Sequence, residues 1–370
     1  MALEPIRQKS EFAEIALANA KIKLLRQPNG AISLQVNGVG GVSLIQIGVS
    51  LDGARLEFWP LHGVNMNPKP EAPMVPVMLV SDKERFFGRS CPECKAYFRT
   101  ADIAELLFCP YCSIRVPLIR FTTENQRRFI DEVRKRWVDG FKGNNLEEID
   151  LYAITKELPD NRPSWSYSEE LQQHGFNCGK CDNRFDILGE YGCCPVCGKR
   201  NSLQVVMSYL NETEAQFESA KNTITDRHDR EVEWEKMTKC ISHFEAMARD
   251  IQRQLARLPL IPSRRKEVEQ ISFQQVIKAH ELVCQFFGIE LLDEIIDVDK
   301  QFLNKMFNRR HILIHNAGRV DQEYLNRTSD SGVKLHQKIA VRSREIERLI
   351  PLLKKMAKNL FQGYESISPQ

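Results

Sequence analysis

Four Cys-x2-Cys pairs constrain this chain more than any other feature. Cys91-Pro92-Glu93-Cys94 and Cys109-Pro110-Tyr111-Cys112 are separated by 14 residues, and Cys178-Gly179-Lys180-Cys181 and Cys194-Pro195-Val196-Cys197 by 12. Each pair presents two thiolates to one ion, and two pairs complete a tetrahedral four-sulfur site. The intervening stretches are slightly short of the usual spacing but long enough for a hairpin. Proline after the first cysteine of a pair suits a tight knuckle. Cys193 is spare and could stand in for Cys194, although the Cys-Pro-Val-Cys knuckle matches the first set better. The expected metal ligands are therefore Cys91, Cys94, Cys109 and Cys112 for one zinc, and Cys178, Cys181, Cys194 and Cys197 for another. With four cysteines and no open position, both sites are expected to be structural, with no catalytic metal. They read as two zinc ribbons, a tandem repeat within one chain.

Met1 to Lys9 lacks the apolar core of a signal peptide, and no segment approaches the ~18 apolar residues of a membrane span. The eleven cysteines are then expected to be reduced or metal-bound in a cytoplasmic protein with no membrane partner. The 370 residues suffice for two or three domains, and 52 basic against 49 acidic residues leave +3, too near neutral to announce nucleic acid.

The periodicities divide the chain further. Residues 1–87 read as a small β-rich module, with a strand at Ala31–Val36 after the Pro28-Asn29-Gly30 turn and a second turn at Asn37-Gly38. Further strands are expected at Ser43–Val49 and Ala54–Phe58, and a proline-rich linker at Pro68–Pro76. The first ribbon spans 88–120. Residues 121–173 hold a basic helix, Thr122–Phe141, in which Phe129, Val133, Trp137 and Phe141 recur every four residues, and a connector from 142 on with Pro159 and Pro163. Arg127, Arg128, Arg134, Lys135 and Arg136 on that helix suit either phosphate contacts or an ordinary solvated face. The second ribbon spans 174–206.

Residues 207–370 read as an all-α antiparallel four-helix bundle. The first helix carries a seam of Trp234, Met237, Ile241, Phe244, Ala248, Ile251 and Leu255, ended by Pro259 and Pro262. Glu267–Phe287 is the second, closed by Gly288. The third runs from about Leu291 or Ile295 to Asn316, and the fourth starts near Val333, with Pro351 placed to kink it. Cys240, His280 and Cys284 read as core; His228, His243 and His336 carry no pattern.

The third helix ends in Asn308-Arg309-Arg310-His311-Ile312-Leu313-Ile314-His315-Asn316-Ala317-Gly318-Arg319-Val320-Asp321. At about 100° per residue, Leu303, Met306, Phe307, Leu313 and Ile314 fall within roughly 60° of Arg310. The guanidinium thus sits in an apolar stripe and needs an anionic partner. A plain reading pairs it with a carboxylate on a neighbouring helix. A sharper one makes it an anion holder beside histidines that move a proton.

Arg310-x4-His315 resembles the Arg-x(4–6)-His signature of the HEPN superfamily, and the run Arg-His-x-x-x-His-Asn-x-Gly-x-Val-Asp resembles one bacterial branch of it. The resemblance implies a small helical bundle, a homodimer that joins two motifs in a composite site, and metal-independent endoribonuclease activity. It implies Arg310 as the phosphate-binding residue, His315 as general acid/base and His311 as the polar residue between them. Arg309 also satisfies the loose spacing. It further implies RNA as substrate, a 2′,3′-cyclic phosphate product, and a toxin or anti-phage defence role with an antitoxin or regulatory partner. The competing expectation is a non-catalytic zinc-ribbon adaptor that binds nucleic acid or a protein and uses the helices only to dimerise.

Overall fold

The computed structural model describes residues 21–28, 32–37, 43–59, 74–81, 85–143, 148–157, 173–221 and 230–368. The Asn29-Gly30 and Gly38 turn residues, Pro159, Pro163, His228 and the Phe141 side chain lie outside that set. The chain forms two compact units, Met1–Arg200 and Asn201–Gln370.

In the first unit, β1 (Lys21–Arg26), β2 (Ile32–Asn37), β3 (Leu44–Ser50), β4 (Leu56–Trp59) and β5 (Met74–Val80) come first. β2 pairs antiparallel with β1, Leu34 in register with Leu24 and Val36 with Ile22. β3 is central between β4 and β5 and is buried on both faces, so its sequence does not alternate. Part of the expected proline linker is in fact β5. Pro76 lies opposite Gly48 on this edge strand, where a missing N–H is tolerated.

β6 (Phe87–Ser90), β7 (Tyr97–Thr100), β8 (Leu106–Phe108) and β9 (Arg115–Pro117) build the first ribbon; α1 (Glu124–Gly143) follows. The expected connector also contains structure. β10 (Glu148–Asp150) pairs with β1, and α2 (Leu151–Glu157) buries Leu151 and Ile154. β11 (Gln173–Asn177) and β12 (Arg184–Leu188) form the second ribbon. Up to Arg200, the stretches 1–87, 88–120, 121–173 and 174–206 fall in one compact unit. One core joins Ile47 and Val77 of the β module, Phe129, Val133 and Trp137 of α1, and Phe98, Leu107, Phe185 and Ile187 of the ribbons. A ribbon alone is too small to bury a core of its own. On α1, Arg128, Arg134, Lys135 and Arg136 pair with Glu124, Asp131 and Glu132 one turn away, which favours the solvated-face reading.

The second unit is helical: α3 (Ser202–Lys221), α4 (Arg230–Leu255), α5 (Pro262–Glu269), α6 (Val276–Phe287), α7 (Asp297–His315), α8 (Gln322–Thr328) and α9 (Ser343–Ile367). The first helical turn of α3 falls inside the span expected of the second ribbon, which ends by Arg200. α3, α4 and α9 pack on one another, and α7 packs on α4 and α9. The seam read on α4 is buried at Met237, Ile241, Phe244, Ala248, Ile251 and Leu255.

Two helix boundaries differ from the sequence reading. The expected second helix breaks between α5 and α6. Gln252 of α4 donates to the carbonyls of Val268 and Ile271 at 2.7 and 3.0 Å, satisfying groups a helix end would orphan. The last helix begins at Ser343, not near Val333. The preceding stretch instead bonds to the α7–α8 turn: Val320 N–H to Gln337 O, His336 N–H to Val320 O, and Ile339 N–H to Gly318 O. Pro351 lies within α9, which continues to Ile367.

Candidate functional site

The four knuckles are built alike. In each, the first cysteine's carbonyl accepts from the residue four positions on: Lys95, Ser113, Asp182 and Gly198. Each of those residues has a positive φ, at 61°, 60°, 56° and 73°. Each first cysteine's own N–H then bonds one residue further, to Ala96, Ile114, Asn183 and Lys199. The turn aims both thiols of a pair inward, and the hairpin brings the pairs together. Cys91 and Cys112 lie 3.6 Å apart at sulfur, Cys94 and Cys109 3.6 Å, Cys178 and Cys197 3.5 Å, and Cys181 and Cys194 3.6 Å. Within each quartet all sulfurs are within 4.8 Å of one another. Four sulfurs on one tetrahedral zinc at ~2.3 Å stand roughly 3.8 Å apart, so each quartet could hold an ion.

Electrostatics agrees with a cation at each centre. Burial pushes the Cys109 and Cys194 thiols far above their ordinary range, and raises Cys112 and Cys197 to about 11. At Cys91 and Cys178 burial acts the same way, but backbone amides donating to sulfur win and lower the pKa. Four clustered sulfurs of this kind can all ionise only around positive charge. Cys194 is the fourth member of its quartet; Cys193 is turned away and donates to the Cys109 carbonyl at 3.2 Å.

The two quartets share one sheet in the order β11-β12-β7-β6. The central strands pair antiparallel, Phe98 with Ile187 and Asp186 with Arg99. Arg99 Nε bonds both Asp186 carboxylate oxygens, at 3.1 and 2.9 Å, in a buried pair. Tyr111, inside a knuckle, donates to Tyr97 O and accepts from Leu188 N–H, both at 2.8 Å. The tandem repeat is thus a single two-site module.

In the helical unit the adjacent arginines have different surroundings. Arg309 is 6% exposed and fully engaged: Nε to Tyr324 Oη at 3.3 Å, Nη1 to Glu345 at 2.8 Å and Nη2 to Asp330 at 3.2 Å. It ties α7 to α8 and α9. Arg310 turns to α4, where Nη1 meets Glu245 and Nη2 meets Ser242 Oγ, both at 3.1 Å. Its Nε is buried with no partner among the described residues. Burial raises the Glu245 carboxyl, opposed by the Arg310 and Arg249 charges. The anion that Arg310 needs is therefore supplied within the same chain. Leu303, Met306 and Phe307 are buried beside it, Leu313 is half-buried, and Ile314 is 48% exposed.

His311 and His315 are brought together, with ring centroids 4.7 Å apart and planes inclined by 48°. His315 is exposed and His311 half-buried. Burial, then the neighbouring His315 and Arg327, hold the His311 imidazole below its usual value of 6.5. A neutral imidazole beside an exposed one in the last turn of a helix is chemically able to take and return a proton.

The rest of the motif is occupied in folding. Asn316 Nδ2 bonds Arg319 O at 2.8 Å, Val320 is buried, and Asp321 caps α8 by accepting from Tyr324 N–H at 2.7 Å. Gly318 has φ of +75°, and a Cβ there would press on Leu313 and Trp234 at 3.1 Å. Ser242 and Glu245 escaped the sequence reading. The available signal was an acidic residue one turn after Ile241, at the edge of the α4 seam, opposite an arginine in the α7 stripe. Searches of family models, curated proteins and solved structures find no match to the chain.

Proposed function

We propose that this chain is a metal-independent endoribonuclease of the HEPN type, a hydrolase acting at a composite Arg310/His315 site formed by a homodimer. The carrying observation is one of subtraction. Arg309, Asn316, Gly318, Val320 and Asp321 each have a structural task, whereas His311, half-buried, and His315, exposed, bring their rings together. On this reading the helical unit is a HEPN-like antiparallel bundle. His315 takes the proton from an RNA 2′-hydroxyl as its oxygen attacks the adjacent phosphorus. The bond from phosphorus to the 5′-oxygen breaks, His315 returns its proton to that oxygen, and a 2′,3′-cyclic phosphate remains. Arg310 carries the charge gathering on the phosphate, and His311 fills the polar position between them. Each cysteine quartet holds one structural zinc, and the two-site module selects RNA or a partner. Toxin or anti-phage defence work, held in check by an antitoxin or regulatory protein, suits such an activity.

Purified protein should sediment as a dimer at micromolar concentration and cleave RNA but not DNA, which lacks the 2′-hydroxyl. Cleavage should persist with free divalent metal removed. A monomer that cuts neither polymer opposes the proposal. One observation favours the adaptor reading instead: the buried Arg310–Glu245 pair is what a purely structural arginine would make. Under that reading the helical unit dimerises or docks a partner, and the zinc module binds nucleic acid or protein without chemistry.

A further inference from the structure

Outside both regions, a histidine, a cysteine and a glutamate converge at the end of α6. His280 and Cys284 are one turn apart on this helix. Gly288, in the left-handed region at φ +67°, ends α6 and turns the chain back. Glu290 thereby comes over both side chains: Cys284 Sγ donates to Glu290 Oε1 at 2.9 Å, and His280 Nε2 lies 3.8 Å from Oε2. Glu290 is held from both sides, since Ile289 and Leu291 are buried and Asn359 Nδ2 donates to Leu291 O. His280 Nδ1 is buried without a partner among the described residues, so Nε2 is the nitrogen a ligand can meet.

We propose that His280, Cys284 and Glu290 form a third zinc site, on the surface of the helical unit and independent of the RNA-cleavage reading. Imidazole, thiolate and carboxylate are the donor set zinc takes, and three protein ligands leave a fourth position to water. The thiol–carboxylate hydrogen bond already marks the line an ion would occupy. On binding, the Cys284 proton passes to solvent and zinc replaces it between sulfur and carboxylate. Among the described residues His280, Cys284 and Glu290 are not one of the groups whose donor atoms all lie within 4.8 Å of one another, so an ion has to draw them together. Residues at i and i+4 share one helix face, and side-chain rotation closes them onto one ion. Partial exposure and the open position make this site weaker and more readily exchanged than the quartets.

The test is zinc binding to the full chain already holding two zinc ions. Calorimetric titration with zinc chloride should show about one further equivalent, and elemental analysis at saturation about three per chain. His280→Ala/Cys284→Ser should return the count to two while circular dichroism stays unchanged. Glu290→Gln, a surface change that disturbs no core packing, should weaken the third ion at least tenfold. Saturation at two in the wild type, or a third ion that survives the double substitution, overturns the site.

Discussion

Arg309 and Arg310 are identical in type and adjacent, and their neighbours give them different parts. Arg309 has an acceptor for each nitrogen of its fork. Arg310 shares two nitrogens with Glu245 and Ser242, and its Nε has no partner among the described residues. Taking away Glu245 leaves a buried guanidinium uncompensated, so Glu245→Ala should lower the unfolding free energy of the helical unit by about 3–5 kcal/mol. Chemical denaturation measures it; a change below ~1 kcal/mol would mean that the pair is open to water. His311 has a pH signature. Its folded pKa lies below 6.5, so the unfolded chain takes up the proton first. The stability it contributes is present above 6.5 and is lost as pH falls through the depressed folded value. Its imidazole resonances should therefore titrate below 6.5, and His315→Ala should move the midpoint upward without fully restoring it, because burial, the larger cause, remains. A wild-type midpoint at or above 6.5 contradicts this. The Arg-x4-His pattern was legible in the chain; Glu245 was not, because a carboxylate from 65 residues earlier meets Arg310 only once α4 and α7 pack.

At the level of elements, the knuckle is the repeated unit. Four cysteine pairs use one turn, and its fifth residue sits in the left-handed region every time. Lysine, serine and aspartate accept that conformation at three positions and glycine takes the fourth, where a Cβ on Gly198 would stand 3.2 Å from the Phe108 ring. Gly198→Ala should cost about 1–2 kcal/mol, read as a lower midpoint for the first unit; an unchanged midpoint would show that the turn tolerates a side chain. Spacing alone showed which cysteines gather into quartets and where the hairpins lie. It did not reveal that β7 and β12 pair, because contacts such as Phe98–Ile187 leave no local pattern. Nor did it reveal that Arg99 and Asp186 are buried, each supplying the other's charge. In the second unit, the apolar positions of α4 were legible from their 3.6-residue repeat. The α5–α6 break and the late start of α9 were not, since a Gln252 side chain and backbone bonds to the α7–α8 turn set them.

For the whole molecule, both quartets lie in residues 1–200 and the histidine pair in 201–370. Among the described residues no helix is long and apolar enough to cross a membrane. Zinc-linked stability should therefore belong to the first unit. A strong chelator should release about two tightly held zinc ions per chain and unfold that unit, because closed thiolate sites contribute their binding energy to folding. Helical signal from the second unit should remain. Full retention of near-ultraviolet structure after zinc removal would contradict this. The same partition makes the chemical claim testable without metal confounds. The decisive measurement is RNA cleavage by wild type and His315→Ala, compared as folded dimers in the presence of chelator at a concentration that leaves the quartets filled. The wild type should cleave, and the variant should lose about 10²–10⁴-fold, the range general acid–base catalysis supplies. Equal cleavage by the two proteins, or none by the wild type alone or with a candidate partner, would contradict the chemical claim and leave the adaptor reading in its place.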